Sequence, residues 1–201
     1  KRLPSRSELA DFTAQIRNNY DLSETMWDII VSLPRDASPM HALRTLVSAL
    51  SLEDPAADDP STEANARKSL AMLSKMPALI AGFDRHRKGL DLIRPNVEYS
   101  LSESFLYMLT GEKPTKRMAR AMDICLILHA DHGFNASTFA LLVTISTLSD
   151  MYSAVTTAIG TLKGPLHGGA NQGVMLMLQD IEDIDQVETY IMEKLENKER
   201  V

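Results

Sequence analysis

Apolar positions recur along this chain at intervals of three and four, the spacing of one helix face, and no segment alternates apolar and polar residues as a half-buried strand would. Ser5-x-x-Glu8 fits a capping box, and Leu9, Phe12 and Ile16 follow at helical spacing, predicting a helix over 7–19. Ser23 opens a second, with Met26, Trp27, Ile30 and Val31 on one face, ended by Pro34. Ser38-Pro39 reads as an N-cap followed by an N1 proline and leads a third to Leu50. The acidic, proline-bearing stretch 53–60 reads as a solvated loop, and Ser61 starts a long helix towards Arg87 in which Pro77 predicts a kink near Ser74 or a split. Further helices are predicted over 102–110, stopped by Gly111, then 115–129, 137–148, 151–163, 171–179 and 185–198. No internal repeat is present, and the fold class is all-α.

Composition narrows the function classes. The chain has 201 residues, 44% of them hydrophobic and 24% charged. That is long enough for a real core. A net charge of −6 without a long basic run gives no electrostatic footprint for a phosphate backbone, so nucleic acid is not an expected partner. Cys125 is the single cysteine and cannot form an internal disulfide, and the start at Lys1 lacks an apolar signal stretch, so a cytoplasmic setting is expected. The run Arg85-His86-Arg87-Lys88 reads either as cations placed against a helix C-terminus closed by Gly89 or as an anion-binding patch.

Charge almost vanishes between Asp131 and Asp180, where only Asp150 and Lys163 carry it. A helix without a polar face must be covered all round. Serines and threonines interrupt the first apolar run before Asp150 closes it, well short of the ~20 apolar residues of a membrane span. The helices over 137–148 and 151–163 are therefore expected to be central and buried rather than in lipid. Three of the five histidines, His129, His132 and His167, lie in this zone, each where one helix ends and another begins. Free N–H groups at a helix start suit an anion or a developing negative charge. Metal is a weaker reading: His129-x-Asp131-His132 offers three potential ligands but matches no zinc spacing, and there is no cysteine pair. Histidines that merely cap helices are an equal alternative from pattern alone, and for His129, on the inner side of a helix C-terminus, the better one.

Two segments, His129-Ala-Asp-His132-Gly-Phe-Asn135-Ala-Ser137-Thr138-Phe139 and Gly164-Pro-Leu-His167-Gly-Gly-Ala-Asn171, resemble the signature segments of citrate synthases, including 2-methylcitrate synthases. Leu3-Pro4-Ser5-Arg6-Ser7-Glu8-Leu9, Pro39-Met40-His41-Ala42-Leu43-Arg44-Thr45 and Ser104-Phe105-Leu106-Tyr107-Met108-Leu109-Thr110-Gly111 resemble the same family in the same order, so the likeness spans essentially the whole chain.

The resemblance implies an acyltransferase that condenses acetyl-CoA with oxaloacetate and hydrolyses citryl-CoA to citrate and CoA, with no permanently bound cofactor, no metal, and acetyl-CoA as co-substrate. His167 matches the catalytic histidine that donates a hydrogen bond to the thioester oxygen as the enol or enolate forms, and a helix start favours an uncharged ring there. Ser137 matches a residue that orients it, Asn135 a neighbouring polar support, and His132 the histidine that binds oxaloacetate. Gly133 stands where many relatives carry Glu. The resemblance also implies that residues 1–180 form most of a large helical domain, and that 181–201 lead towards a smaller one carrying a second catalytic histidine, a catalytic aspartate, arginines for the oxaloacetate carboxylates and most of the CoA site. Asp180, Asp183 and Asp185 do not replace that base, so this chain alone is expected to be inactive. Family members pair as homodimers through large-domain helices, and Ala119, Ala121, Cys125, Ala140, Thr144 and Ala158 offer small faces for that packing. Propionyl-CoA as substrate, citryl-CoA cleavage, and a non-catalytic helical dimerisation module are the alternatives.

Overall fold

A computed structural model describes residues 2–130 and 133–199. Among these the chain forms α1 (Arg6–Asn18), α2 (Glu24–Ser32), α3 (Pro39–Ala49), α4 (Thr62–Arg87), α5 (Leu101–Thr110), α6 (Lys116–His129), α7 (Ala136–Ser146), α8 (Met151–Leu162), α9 (Gly169–Asp180) and α10 (Val187–Glu196), with 3₁₀ turns at Leu50–Glu53 and Ile184–Gln186 and no strand. The start signals act as their chemistry dictates. Ser5 and Ser100 accept from backbone N–H groups while Glu8 and Glu103 reach back to the cap N–H, and Ser23, Ser61, Thr115 and Asp150 cap their helices singly.

The core lies where α2, α3, α4, α5 and α8 meet. Met26, Ile30, Leu46, Val47 and Leu79 are fully buried there, with Trp27, Met108, Tyr152 and Ile159 around them. α2 crosses α4 so closely that a Cβ on Gly82 would sit 2.8 Å from Trp27 Cζ3, a separation only glycine permits. α4 runs unbroken through Pro77, so the predicted split does not occur. Buried Ala78, Leu79, Ala81 and Phe83 in the turns that follow hold the helix where propensity alone would end it.

The loop 53–60 is not simply solvated. Asp58 and Asp59 are exposed, but the Asp54 carboxylate accepts from the Tyr152 hydroxyl (2.8 Å), the Ala56 N–H (3.0 Å) and Arg67 (3.0 Å). From beneath, the buried Lys68 ammonium donates to the carbonyls of Ala57 (2.8 Å) and Asp59 (2.7 Å). The basic run 85–88 serves the fold. Arg85 donates to the carbonyls of Asp91 and Leu109, His86 Nε2 to that of Leu33, and Arg87 and Lys88 pair with Asp84, which leaves no assembled anion patch.

The apolar zone departs from expectation. α8 is partly buried, through Tyr152, Ala154 and Ile159, but α7 has no buried residue. α7 and α8 pack on each other as an antiparallel hairpin, with Thr144 Oγ1 donating to Thr157 Oγ1 at 3.1 Å. The opposite side of α7, with Phe139, Leu142 and Val143, stays exposed because no other described element covers it. Thr144, one of the expected pairing residues, therefore faces α8 of its own chain. No helix among the described residues is long and apolar enough to cross a membrane.

Candidate active site

The α7–α8 hairpin decides which ends meet. Its two arms, Ala136–Ser146 and Met151–Leu162, are nearly equal in length, so the start of α7 lies beside the end of α8. Asn135 caps α7 by accepting from the Thr138 N–H at 2.8 Å. That bond fixes the first turn and the direction of Ser137. Beyond α8 the chain folds into a tight turn in which the N–H groups of His167 and Gly169 both donate to the Gly164 carbonyl, at 3.0 and 3.1 Å. A Cβ on Gly168 would lie 2.6 Å from the Leu162 carbonyl oxygen. Only glycine lets the turn fold back this tightly. α9 starts at Gly169, and His167 stands just ahead of it.

This geometry brings the two histidine-bearing segments together. Ser137 Oγ and His167 Nε2 lie 2.8 Å apart, thirty positions apart in sequence. When the hydroxyl donates to Nε2, the imidazole proton resides on Nδ1, on the other side of the ring. The pair lines an open recess of about 430 Å³ with His129, Asn135, Thr138, Leu141, Ala158, Ile159, Leu162, Gly168 and Asn171. His167 is half-buried, seated but accessible. No carboxylate, lysine or arginine is among these lining residues, and Asp180 lies in a different recess, beside Tyr190 and Lys194.

Three of the four residues singled out from the sequence, Asn135, Ser137 and His167, thus meet in one place. His132 lies outside the described residues. His129 does satisfy a carbonyl of its own helix, its Nδ1 standing 2.7 Å from Cys125 O, yet it also lines the recess, which the capping reading did not convey. Thr138 and Asn171 line it as well; their signal was a polar side chain in the first turn of a helix that opens on the site. No group of three His, Cys, Asp or Glu side chains gathers among the described residues.

The sequence profile described as "Citrate synthase, C-terminal domain" matches residues 1–201. The chain is similar to a citrate synthase of Deinococcus radiodurans, 48% identical over 200 residues covering 100% of this chain and 53% of that one. It is also similar to a 2-methylcitrate synthase of Mycobacterium tuberculosis, 41% identical over 199 residues covering 99% and 50%. Among solved structures it is similar to citrate synthase from Thermoplasma acidophilum in a ternary complex with carboxymethyl coenzyme A and oxaloacetate, with a TM-score of 0.90 at 32% identity over 99% of this chain and 52% of that one. Citrate synthase from Thermotoga maritima gives a TM-score of 0.84 at 34% identity over 100% and 52%. The chain spans about half the length of the curated relatives it matches. With helices in the family's arrangement and both signature segments facing one recess, the chain belongs to the citrate synthase family.

Proposed function

We propose that the complete protein condenses acetyl-CoA with oxaloacetate and hydrolyses the resulting citryl-CoA to citrate and CoA, the reaction that opens the tricarboxylic acid cycle. The observation that carries this reading is the Ser137–His167 pair at the start of α9, open to a recess of substrate size. A base removes a proton from the acyl methyl group while His167 Nδ1–H donates to the thioester oxygen, whose charge grows as the enol or enolate forms. The enol carbon attacks the ketone of oxaloacetate, forming the new C–C bond, and water then cleaves the thioester. Ser137 keeps the proton of His167 on the nitrogen that faces the acyl group, and Asn135 fixes the helix turn that carries Ser137. His132 is assigned to oxaloacetate by the resemblance alone.

No carboxylate lines the recess among the described residues, so this chain alone is expected to form no citrate: condensation needs base and hydrogen-bond donor in one closed cleft. Acetyl-CoA acts as a co-substrate rather than a resident cofactor, and the proposed setting is the cytoplasm. A homodimer completes the reading, supported by large apolar side chains left exposed on α6, α7 and α9.

The test is CoA release and citrate formation by the full-length gene product. Wild type should be active, and His167→Ala should lower kcat about 10²–10³-fold; an active protein indifferent to that substitution would overturn the assignment. Because one relative is a 2-methylcitrate synthase, propionyl-CoA belongs in the same assay. The substrates differ by one methylene, worth ~1–3 kcal/mol in a fitted pocket, and kcat/KM for acetyl-CoA is expected to exceed that for propionyl-CoA.

A further inference from the structure

We propose that Thr144 and Thr157 are positioning residues for the reaction: their hydroxyl pair fixes the register of the α7–α8 hairpin that holds Ser137 against His167. The inference rests on the roles given above to Ser137 and His167 and goes beyond them, because nothing in that reading says what keeps the two groups in reach of each other.

The demand is strict. Ser137 Oγ and His167 Nε2 are 2.8 Å apart. A hydrogen bond between them is gone once the separation passes about 3.5 Å, so a slip of far less than one helix turn of ~5.4 Å unmakes it. Ser137 rides on α7, which packs on α8 and has no buried residue. His167 hangs from the end of α8, which is anchored through buried Tyr152, Ala154 and Ile159. The place of Ser137 therefore depends on how α7 sits along α8.

Apolar contact does not set that place on its own. Both helices are rich in Ala, Leu, Ile and Val, and attraction between such surfaces is non-directional, so neighbouring registers bury similar area. A hydrogen bond is directional. Among the described residues one side-chain hydrogen bond joins the two helices, from Thr144 Oγ1 to Thr157 Oγ1 at 3.1 Å. Each hydroxyl has one proton. Thr144 gives its proton to Thr157, and Thr157 gives its own to the Ser153 carbonyl at 3.0 Å, which ties the pair to the α8 backbone. Thr144 follows Ser137 by seven residues, about two turns, and so lies on the same side of α7. Thr156 supplies the contrast: its Oγ1 is buried without a partner, one position from Thr157.

Isosteric substitutions in the full-length gene product separate register from bulk packing. Thr144→Val and Thr157→Val keep the shape and delete the bond. Neither orphans the other hydroxyl, since Thr157 still donates to Ser153 O and Thr144 can turn to Ala140 O at 3.1 Å. Each is expected to lower kcat about 3- to 10-fold, the bias that one net hydrogen bond gives one register over its neighbours, with KM for oxaloacetate and for the acyl-CoA within about twofold of wild type. Because both act through one bond, the double variant should fall no further than either single one. Thr157→Ser, which keeps the oxygen, should restore kcat, and Thr156→Val should be as active as wild type. Wild-type kcat in either single valine variant overturns the proposal, and so does an equal loss in Thr156→Val, which would assign the effect to packing.

The second readout is one that a merely structural role would not move. With imidazole nitrogens labelled and followed by NMR, His167 of wild type should carry its proton on Nδ1, and Thr144→Val should bring up the Nε2–H form as Ser137 moves away. Thr144 sits on a helix without a buried residue, so this variant leaves the core intact and is expected to fold. An unchanged tautomer overturns the inference. The two failures remain distinct. A tautomer shift in a protein that forms no citrate would sink the synthase reading and sustain this one. Citrate formation by the valine variants at the wild-type rate would do the reverse.

Discussion

Asp54 shows how one side chain can decide the fate of a loop. Burial works against its ionisation, but the Ala56 N–H, the Tyr152 hydroxyl and the Arg67 guanidinium outweigh that cost and hold the carboxyl below its ordinary range. Tyr152 is pushed the other way, by burial first and then by the carboxylate it faces. A depressed carboxyl contributes stability that is complete above its unfolded pKa of about 3.9 and is lost as pH falls through the lower, folded value. A raised phenol contributes stability that is present below about pH 10 and is lost as pH rises beyond it. Tyr152→Phe should therefore flatten the alkaline limb of a stability profile and cost about 1–2 kcal/mol near neutrality, measured by urea unfolding. An unchanged alkaline limb would show that the hydroxyl does not face Asp54. None of this was legible in the sequence. Pattern reading sees a proline-bearing acidic run and a tyrosine 98 positions away, and only the α8 packing joins them.

At the scale of elements the sequence was most legible where the signal is local. The capping box at Ser5, the serine caps at Ser23 and Ser61, the N1 proline at Pro39 and the stop at Gly111 all act within one helix turn, and the observed boundaries follow them, whereas α5 is predicted to start at 102 and the box at Ser100 is missed. The failures lie where distant packing overrides local chemistry. Pro77 predicts a kink or a split, and of these the split does not occur, because the core built on Ala78, Leu79 and Phe83 carries α4 across it. The acidic loop should be free, but Lys68 holds two of its carbonyls from beneath. Lys68→Met, which keeps the length and removes the donors, should destabilise the chain by about 1.5–3 kcal/mol and speed amide exchange in 54–61 more than elsewhere. Uniform exchange across the chain would count against a clamp. Gly82→Ala should cost about 1–3 kcal/mol in the same urea assay, because the added methyl group meets the Trp27 ring; a neutral result would mean that α2 and α4 yield easily. The candidate site was half legible. The residue types around Ser137 and His167 pointed to it, but their meeting depends on the hairpin, and the inward side of His129 shows only once α6, α7 and α8 are placed together.

At the scale of the whole molecule the apolar side chains are unevenly distributed. Leu128 on α6, Val143 on α7 and Leu176 on α9 are each more than half exposed, while the α2–α5 half of the chain has a closed core. Small residues and missing charge lead to the expectation that both helices of this zone are buried, but α7 has no buried residue among the described ones, and what would cover an uncharged helix is not written in periodicity. The full-length protein is expected to sediment as a dimer at micromolar concentration, and Val143→Glu should shift it towards monomer by placing a charge in an apolar contact. A monomeric wild type would refute the paired arrangement.

Trp27 is the single tryptophan of the chain, 3% exposed, bonded through Nε1 to Asp21, lying under the Arg94 guanidinium and packed against Gly82. Its emission therefore reports on the α2–α4 contact and the core around it, and not directly on the turn that carries His167. Ellipticity counts every helix alike. If the histidine-bearing half loosens first, circular dichroism will fall while the indole signal holds steady, and the gap between the two curves will measure how independently the cleft can open.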